Sequence, residues 1–241
     1  MARSGRRTLG IIAGLAVLVI AAGAFAGWWF LIRDDAPEAA SIDTAAEGLD
    51  DAAGTTGDVA GEWTVDPSVG SFDDFSGTWA GYRFEEELGG IGANTAVGRT
   101  PEITGSMTVT GDEVSAVDVE VDLTTLKSDS GTRDGALRSR GLESERFPTA
   151  TFSLTEPLAL PAGAADGQRV STEATGDLTI HGTTKSVTLE VAAQLSGDSA
   201  VVVGSAPVVL QDFGIDPPTG FSVVSIEDEG TFEFQIFFSK G

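Results

Sequence analysis

The stretch that decides the fold is Val117-Asp118-Val119-Glu120-Val121-Asp122-Leu123, in which apolar and acidic side chains alternate without a break. Successive Cβ atoms of a strand point to opposite faces, so a two-residue period makes one face dry and the other wet. Outward from it the same period recurs in Val187, Leu189, Val191, Ala193 and Leu195, and Phe232, Phe234, Ile236 and Phe238 share one face of a last strand. Shorter strands are expected at Trp63–Asp66, Trp79–Leu88, Glu102–Thr110, Ala150–Leu154, Ala174–Ile180 and Ala200–Val209. Turn chemistry separates them at Gly111-Asp112, His181-Gly182, Gly197-Asp198 and Asp228-Glu229-Gly230.

One segment departs from this period. Ser128–Leu142 offers Asp129 or Ser130 as an N-cap and Gly141 as a stop, with Asp134 and Arg138 at the i,i+4 spacing. The expected fold class is all-β: an antiparallel barrel of about eight strands with one short surface helix. Such a barrel is just wide enough to hold one slim ligand. A two-sheet sandwich with a solid interior satisfies the same periodicity.

Composition narrows function. The chain has 241 residues, 41 % of them apolar, enough for a real core. Acids outnumber bases 37 to 14, a net charge of −23 that repels phosphate backbones and argues against nucleic acid as a partner. There is no cysteine, which excludes disulfides, thiolate catalysis and cysteine-held metals. With a single histidine, His181, and no G-x-S-x-G segment, the expectation is a protein that is not an enzyme and uses no cofactor or metal.

The amino-terminal part reads as an anchor. Residues 1–7 form a basic tail with Arg3, Arg6 and Arg7, expected on the cytoplasmic side. Residues 8–32 carry no charge and as a helix would span roughly 37 Å, more than the ~30 Å hydrocarbon core. Trp28-Trp29 suits the interfacial belt of a retained single-pass helix, which places the carboxyl-terminal domain outside the cell membrane. Ala24-Phe25-Ala26 fits a processing site, and cleavage there would give a secreted protein instead. Residues 33–61 hold many acids and no hydrophobic period, so they are expected to form a disordered tether with a mean reach of about 30 Å. Residues 62–241 are the barrel domain, expected to be monomeric.

Several segments of that domain resemble the YceI-like family of polyisoprenoid-binding, lipocalin-like proteins. Gly176-Asp177-Leu178-Thr179-Ile180-His181-Gly182-Thr183-Thr184-Lys185 looks like the family's most recognisable hairpin, and Trp63-Thr64-Val65-Asp66 like its opening strand. Asp134, Leu137-Arg138-Ser139 and Phe147-Pro148-Thr149-Ala150-Thr151-Phe152 follow its helix-to-strand passage, and Asp212-Phe213-Gly214-Ile215 matches the segment before its last hairpin. There are departures. Pro67-Ser68-Val69 stands where many members carry a histidine-serine pair, Gly135-Ala136-Leu137 where they carry another histidine, and Gly141-Leu142 where they carry paired phenylalanines.

The resemblance implies an apolar lumen that binds an isoprenoid lipid or isoprenoid quinone. Periodicity and aromatic character then give the candidate lining: Phe75, Trp79, Tyr82, Phe84, Met107, Val119, Val121, Phe152, Leu154, Phe213, Phe232, Phe234 and Ile236. The alternative is a surface interaction module with a solid barrel core. Gly89–Pro101 is expected to be a flexible hairpin loop, with a portal to the lumen as its functional alternative. Arg133, Arg138, Arg140 and Arg146 would suit a diphosphate or quinone head, but the plainer expectation is pairing with Asp129, Asp134, Glu143 and Glu145 on a solvated face. His181 is expected to be a turn residue, and Asp118, Glu120 and Asp122 a solvated strand face.

Overall fold

A computed structural model of the protein describes residues 36–49, 59–90, 92–218 and 223–241. The charge-free run 8–32 lies outside the described residues, as do parts of the 33–61 segment. Among the described residues no helix is long and apolar enough to cross a membrane.

The strands are β1 (Gly61–Val65), β2 (Trp79–Leu88), β3 (Gly92–Thr100), β4 (Ile103–Thr110), β5 (Glu113–Asp122), β6 (Lys127–Ser128), β7 (Thr149–Leu154), β8 (Leu158–Ala159), β9 (Val170–Ile180), β10 (Thr183–Ser196), β11 (Ser199–Val209) and β12 (Val223–Lys240). The order β1-β4-β5-β7-β9-β10-β11-β12 closes on itself, because Trp63 of β1 pairs with Met107 on one side and Lys240 on the other. This is an eight-stranded antiparallel barrel. Closure gives each of these eight strands a neighbour on both sides, so none of the ring is a free edge that would invite pairing with other chains.

β12 is long enough to serve two neighbours. Its last residues hold β1, while Phe232 and Phe234 pair with Tyr82 and Ala80 of β2, which continues into β3 and β6. The register slips between Ile226 and Gly230. Asp228-Glu229-Gly230, expected as a turn, is therefore a bulge inside one strand. Gly89–Pro101 also differs from expectation. The chain turns at Gly89–Gly90, and Gly92–Thr100 is a wall strand paired with β2 from Leu88↔Gly92 to Ala80↔Thr100. Gly98 must stay bare because a side chain there would meet the Tyr82 ring at 2.5 Å.

The helix forms where expected, as α2 (Gly131–Ser139), with Ser130 as its N-cap accepting from the Arg133 N–H at 3.3 Å. Asp134 turns toward β6 rather than toward Arg138, accepting from the Ser128 N–H at 3.0 Å and hydroxyl at 2.6 Å.

The larger correction is to the tether. Residues 36–49 are a strap packed on the outside of the barrel, with a short helix α1 (Ile42–Ala45) capped by Ser41. Ala45 and Leu49 are buried against Val201 and Val203 of β11 and Phe237 of β12. The cause lies in the barrel. These three residues face outward, and leaving them in water would forfeit roughly 1.5–3 kcal/mol for each of the large side chains. The strap is pinned by polar contacts too. Arg83 Nη2 donates to the Pro37 carbonyl at 2.5 Å, Arg99 Nη2 donates to that of Glu38, and Glu233 Oε2 accepts from the Ala40 N–H at 3.3 Å.

Candidate ligand-binding lumen

Strand alternation sends one side chain in two to the barrel axis, and these residues surround an apolar cavity of about 300 Å³. This volume falls at the small end of known ligand pockets, ~300–1,000 Å³. The lining runs from Trp63, Leu158 and Leu160 at the β4–β5 end to Leu137, Leu142 and Ile180 at the α2 end. Along β9 it extends from Val170 to Ile180, eleven residues, or roughly 25 Å of axis at a strand tilt near 40°. The cavity is long and narrow.

A barrel so rich in phenylalanine stays open because the rings lie flat on glycines of the neighbouring strand. Phe84 pairs with Gly230, Phe234 with Gly204 and Tyr82 with Gly98, and a Cβ built on any of these glycines would fall within 2.2–2.5 Å of the ring. Phe152 covers Gly176 in the same way. The space that a side chain would occupy is taken by the ring, and the centre is left free.

Ten of the residues singled out from sequence line this cavity: Tyr82, Phe84, Met107, Val119, Val121, Phe152, Leu154, Phe232, Phe234 and Ile236. Phe75, Trp79 and Phe213 do not. Trp79 differs in parity from Tyr82 and Phe84 on the same strand, so it faces outward, where it is buried under Phe75 and the Arg99 guanidinium. Phe75 belongs to the loop before β2, with φ 58°, and its carbonyl accepts from the Trp79 indole. Phe213 is buried in the single 3₁₀ turn after β11, its ring 6.4 Å from Phe232. Sequence reasoning missed Trp63, Leu178, Leu189 and Val191 as lining residues, although the last two belong to an alternation already visible in β10.

Arg138, Arg140 and Arg146 are exposed and Arg133 pairs with Asp129 as expected, but Arg133 departs from the solvated face by being largely buried. Its side chain is only 11 % exposed and borders the cavity. Its Nη2 donates to Glu86 Oε1, and its Nη1 to Asp129 and, at 3.3 Å, to the Ser128 hydroxyl. Asn94 Nδ2 donates to the same Glu86 oxygen at 2.7 Å. Burial works against the guanidinium charge, but Glu86 and Asp129 outweigh it and raise its pKa. Arg146 lies over the Phe147 ring, and Glu143 pairs with His181 rather than with an arginine. His181 is the turn residue expected, at φ 53°, its Nε2 2.8 Å from Glu143 Oε2 and its Nδ1 3.3 Å from the Phe213 carbonyl. Among the described residues no cluster of three or more histidine, aspartate or glutamate side chains is placed to hold a metal.

A closed antiparallel ring, apolar within and long enough for an extended chain, defines a hollow eight-stranded β-barrel. The helix over one end and the strap on the wall narrow the class further. The protein belongs to the YceI-like domain family, which it matches over residues 37–238, strap included. A UPF0312 protein of Pseudomonas aeruginosa is 34 % identical over 146 residues, 57 % of this chain and 72 % of the relative. One from Vibrio parahaemolyticus is 35 % identical over 120 residues, 47 % of this chain and 60 % of the relative, so the chain spans about three fifths of that protein's length. Two solved structures share the fold. A polyisoprenoid binding domain from Saccharophagus degradans superposes with a TM-score of 0.56 at 17 % identity, covering 74 % of this chain and 98 % of that one. BcnA of Burkholderia cenocepacia gives 0.51 at 16 % identity, covering 66 % and 95 %.

Proposed function

We propose that the protein holds an isoprenoid or similar long apolar lipid in its barrel, for storage, sequestration or carriage, and performs no chemistry on it. The observation that carries this reading is the apolar cavity along the barrel axis, which a solid-core interaction module would not keep. Transfer of a chain from water into such a lumen is worth ~0.8 kcal/mol per buried CH₂, ample to retain a prenyl tail without any strong head contact. The likeness to the polyisoprenoid binding domain from Saccharophagus degradans supports the same ligand class. Mass spectrometry of organic extracts of the protein purified from its native cells is the test. A prenyl lipid near one per protein is expected. An empty extract, together with no binding of polyprenyl lipids or isoprenoid quinones, overturns the reading.

We propose further that residues 8–32 anchor the barrel outside the cell membrane. With the strap docked, only residues 33–35 separate this run from Ala36, at most about 14 Å of extended chain. The barrel wall carrying the strap would then lie close to the bilayer that supplies the lipid. Protease treatment of intact cells should remove the domain and leave a membrane-bound stub. A mature protein in the medium beginning at Gly27 would contradict the anchor.

A further inference from the structure

α2 and the turn after it carry a charge pattern at odds with so acidic a chain. Arg138, Arg140 and Arg146 are exposed, and among the described residues none of them forms an ion pair with a carboxylate. The acids nearest in sequence are mostly bound elsewhere. Asp129 pairs with Arg133, Asp134 accepts from the Ser128 hydroxyl, and Glu143 holds His181, which leaves only Glu145 beside three free guanidinium groups. The wall formed by β5 and β9 is the opposite. Asp118, Glu120, Glu173 and Asp177 are exposed there, and neither strand contains a lysine or an arginine.

The path of the chain brings the same end toward the bilayer. The strap begins with Pro37 on Arg83 and Glu38 on Arg99, then runs to Leu49 on Phe237, beyond the Trp79 end of β2. The other end of β2 is the α2 end, because Glu86 there pairs with Arg133. Ala36 is therefore the part of the strap nearest α2. From Arg83 to Leu88, the last residue of β2, is about 13 Å of axis, and residues 33–35 span at most about 14 Å. Residue 32 can thus lie level with α2. Val224, the one large hydrophobic side chain exposed among the described residues, adjoins this end through the pairing Val223↔Leu88. Resting on the anchor reading above, we infer that Arg138, Arg140 and Arg146 dock the α2 end of the barrel on the anionic lipid headgroups of the bilayer that holds residues 8–32. Phosphate oxygens would accept from guanidinium N–H groups that no carboxylate engages. The acidic wall is repelled by the same surface, and salt screens it beyond about 8–10 Å, so the arginines in contact set the orientation.

A chain without cysteine accepts a fluorophore at one chosen position. The full-length protein would carry Ser139→Cys, labelled with an environment-sensitive dye between Arg138 and Arg140, in nanodiscs of phosphatidylcholine alone or of an equal mixture with phosphatidylglycerol. A separate protein labelled at Asp112→Cys, in the turn between β4 and β5, reports the opposite end of the barrel. The dye at position 139 should shift to the blue and be quenched by spin-labelled lipid in the anionic discs only, and high salt should reverse both signals. The dye at position 112 should stay in water throughout. Each arginine near an anionic surface is worth roughly fivefold in the docking equilibrium, so Arg138→Gln/Arg140→Gln/Arg146→Gln should reduce it about a hundredfold. All three side chains are exposed, so the fold should not change. A dye at position 139 that is equally wet in both kinds of disc, or equally shielded in the triple variant, overturns the docking. Protein that does not stay with the discs at all overturns the anchor reading and the docking with it.

Discussion

Phe234→Asp should empty the lumen of lipid and lower the melting temperature, the largest effect expected of any change on the tunnel wall. Phe234 lines the cavity at mid-barrel, its ring lying on Gly204 and packed between the cluster around Ile236 and the cluster around Ala206. Losing the ring uncovers the glycine and leaves a gap, the kind of change that costs ~3–5 kcal/mol for Phe→Ala in a core. An unpaired carboxylate adds several kcal/mol wherever water does not reach it. Against a total stability of about 5–15 kcal/mol the barrel should survive only marginally, so circular dichroism melting must accompany lipid analysis. Phe234→Leu keeps the wall apolar and should retain most of the lipid. Arg138→Ala, on the exposed face of α2, should change stability by less than ~0.5 kcal/mol. A folded Phe234→Asp protein that extracts with its full complement of lipid would show that the tunnel is not where the ligand lies.

The wall of the barrel was legible because period two is a strict geometric rule. Val117, Val119 and Val121 line the lumen, and Asp118 and Glu120 are exposed. The same rule excludes Trp79 from the lining. It lies three positions from Tyr82 on one strand and must face the other way. It would also have flagged Glu86. In the run Glu85-Glu86-Glu87 the middle residue shares the parity of Tyr82 and Phe84, and it is the one that is buried.

Other features had no such signal. In β3 Gly98 must lie beneath the Tyr82 ring of the next strand, and a cross-strand partner is invisible in a local window. The strap has too few turns to show a helical period. Its apolar residues, Ala45 and Leu49, matter only because Val201, Val203 and Phe237 turn outward far away in sequence. Arg133 lies among four arginines on or after a short helix, and nothing local distinguishes the one that finds Glu86.

The ion pair under the strap sets the second large effect. Arg99→Met should destabilise the protein by ~3–5 kcal/mol, because it leaves the Glu233 carboxylate buried with its main partner gone. Arg99 and Glu233 are 2.9 Å apart, with side chains 3 % and 2 % exposed, and among the described residues Arg83 is the only other cation on Glu233, at 3.5 Å. Burial pulls the Arg99 pKa below the ordinary arginine value, and the hydrogen bond and charge of Glu233 oppose that. The guanidinium also lies 3.7 Å from the Trp79 ring centroid and 4.5 Å from that of Phe75, a desolvated cation–π contact of about 2 kcal/mol. The double variant Arg99→Met/Glu233→Met should regain part of the loss, since an apolar pair in place of a buried ion pair is often neutral or better. It should not regain the strap. Arg99 holds the Glu38 carbonyl and Glu233 holds the Ala40 N–H, so two of the three polar clamps are gone, only Arg83 on the Pro37 carbonyl remains, and residues 36–49 should be cut by protease faster than in the wild type while the barrel remains folded. Melting curves and limited proteolysis of the single and double variants separate the two roles. An Arg99→Met protein within ~1 kcal/mol of the wild type and equally resistant at the strap would mean that the pair neither stabilises the barrel nor holds the segment down.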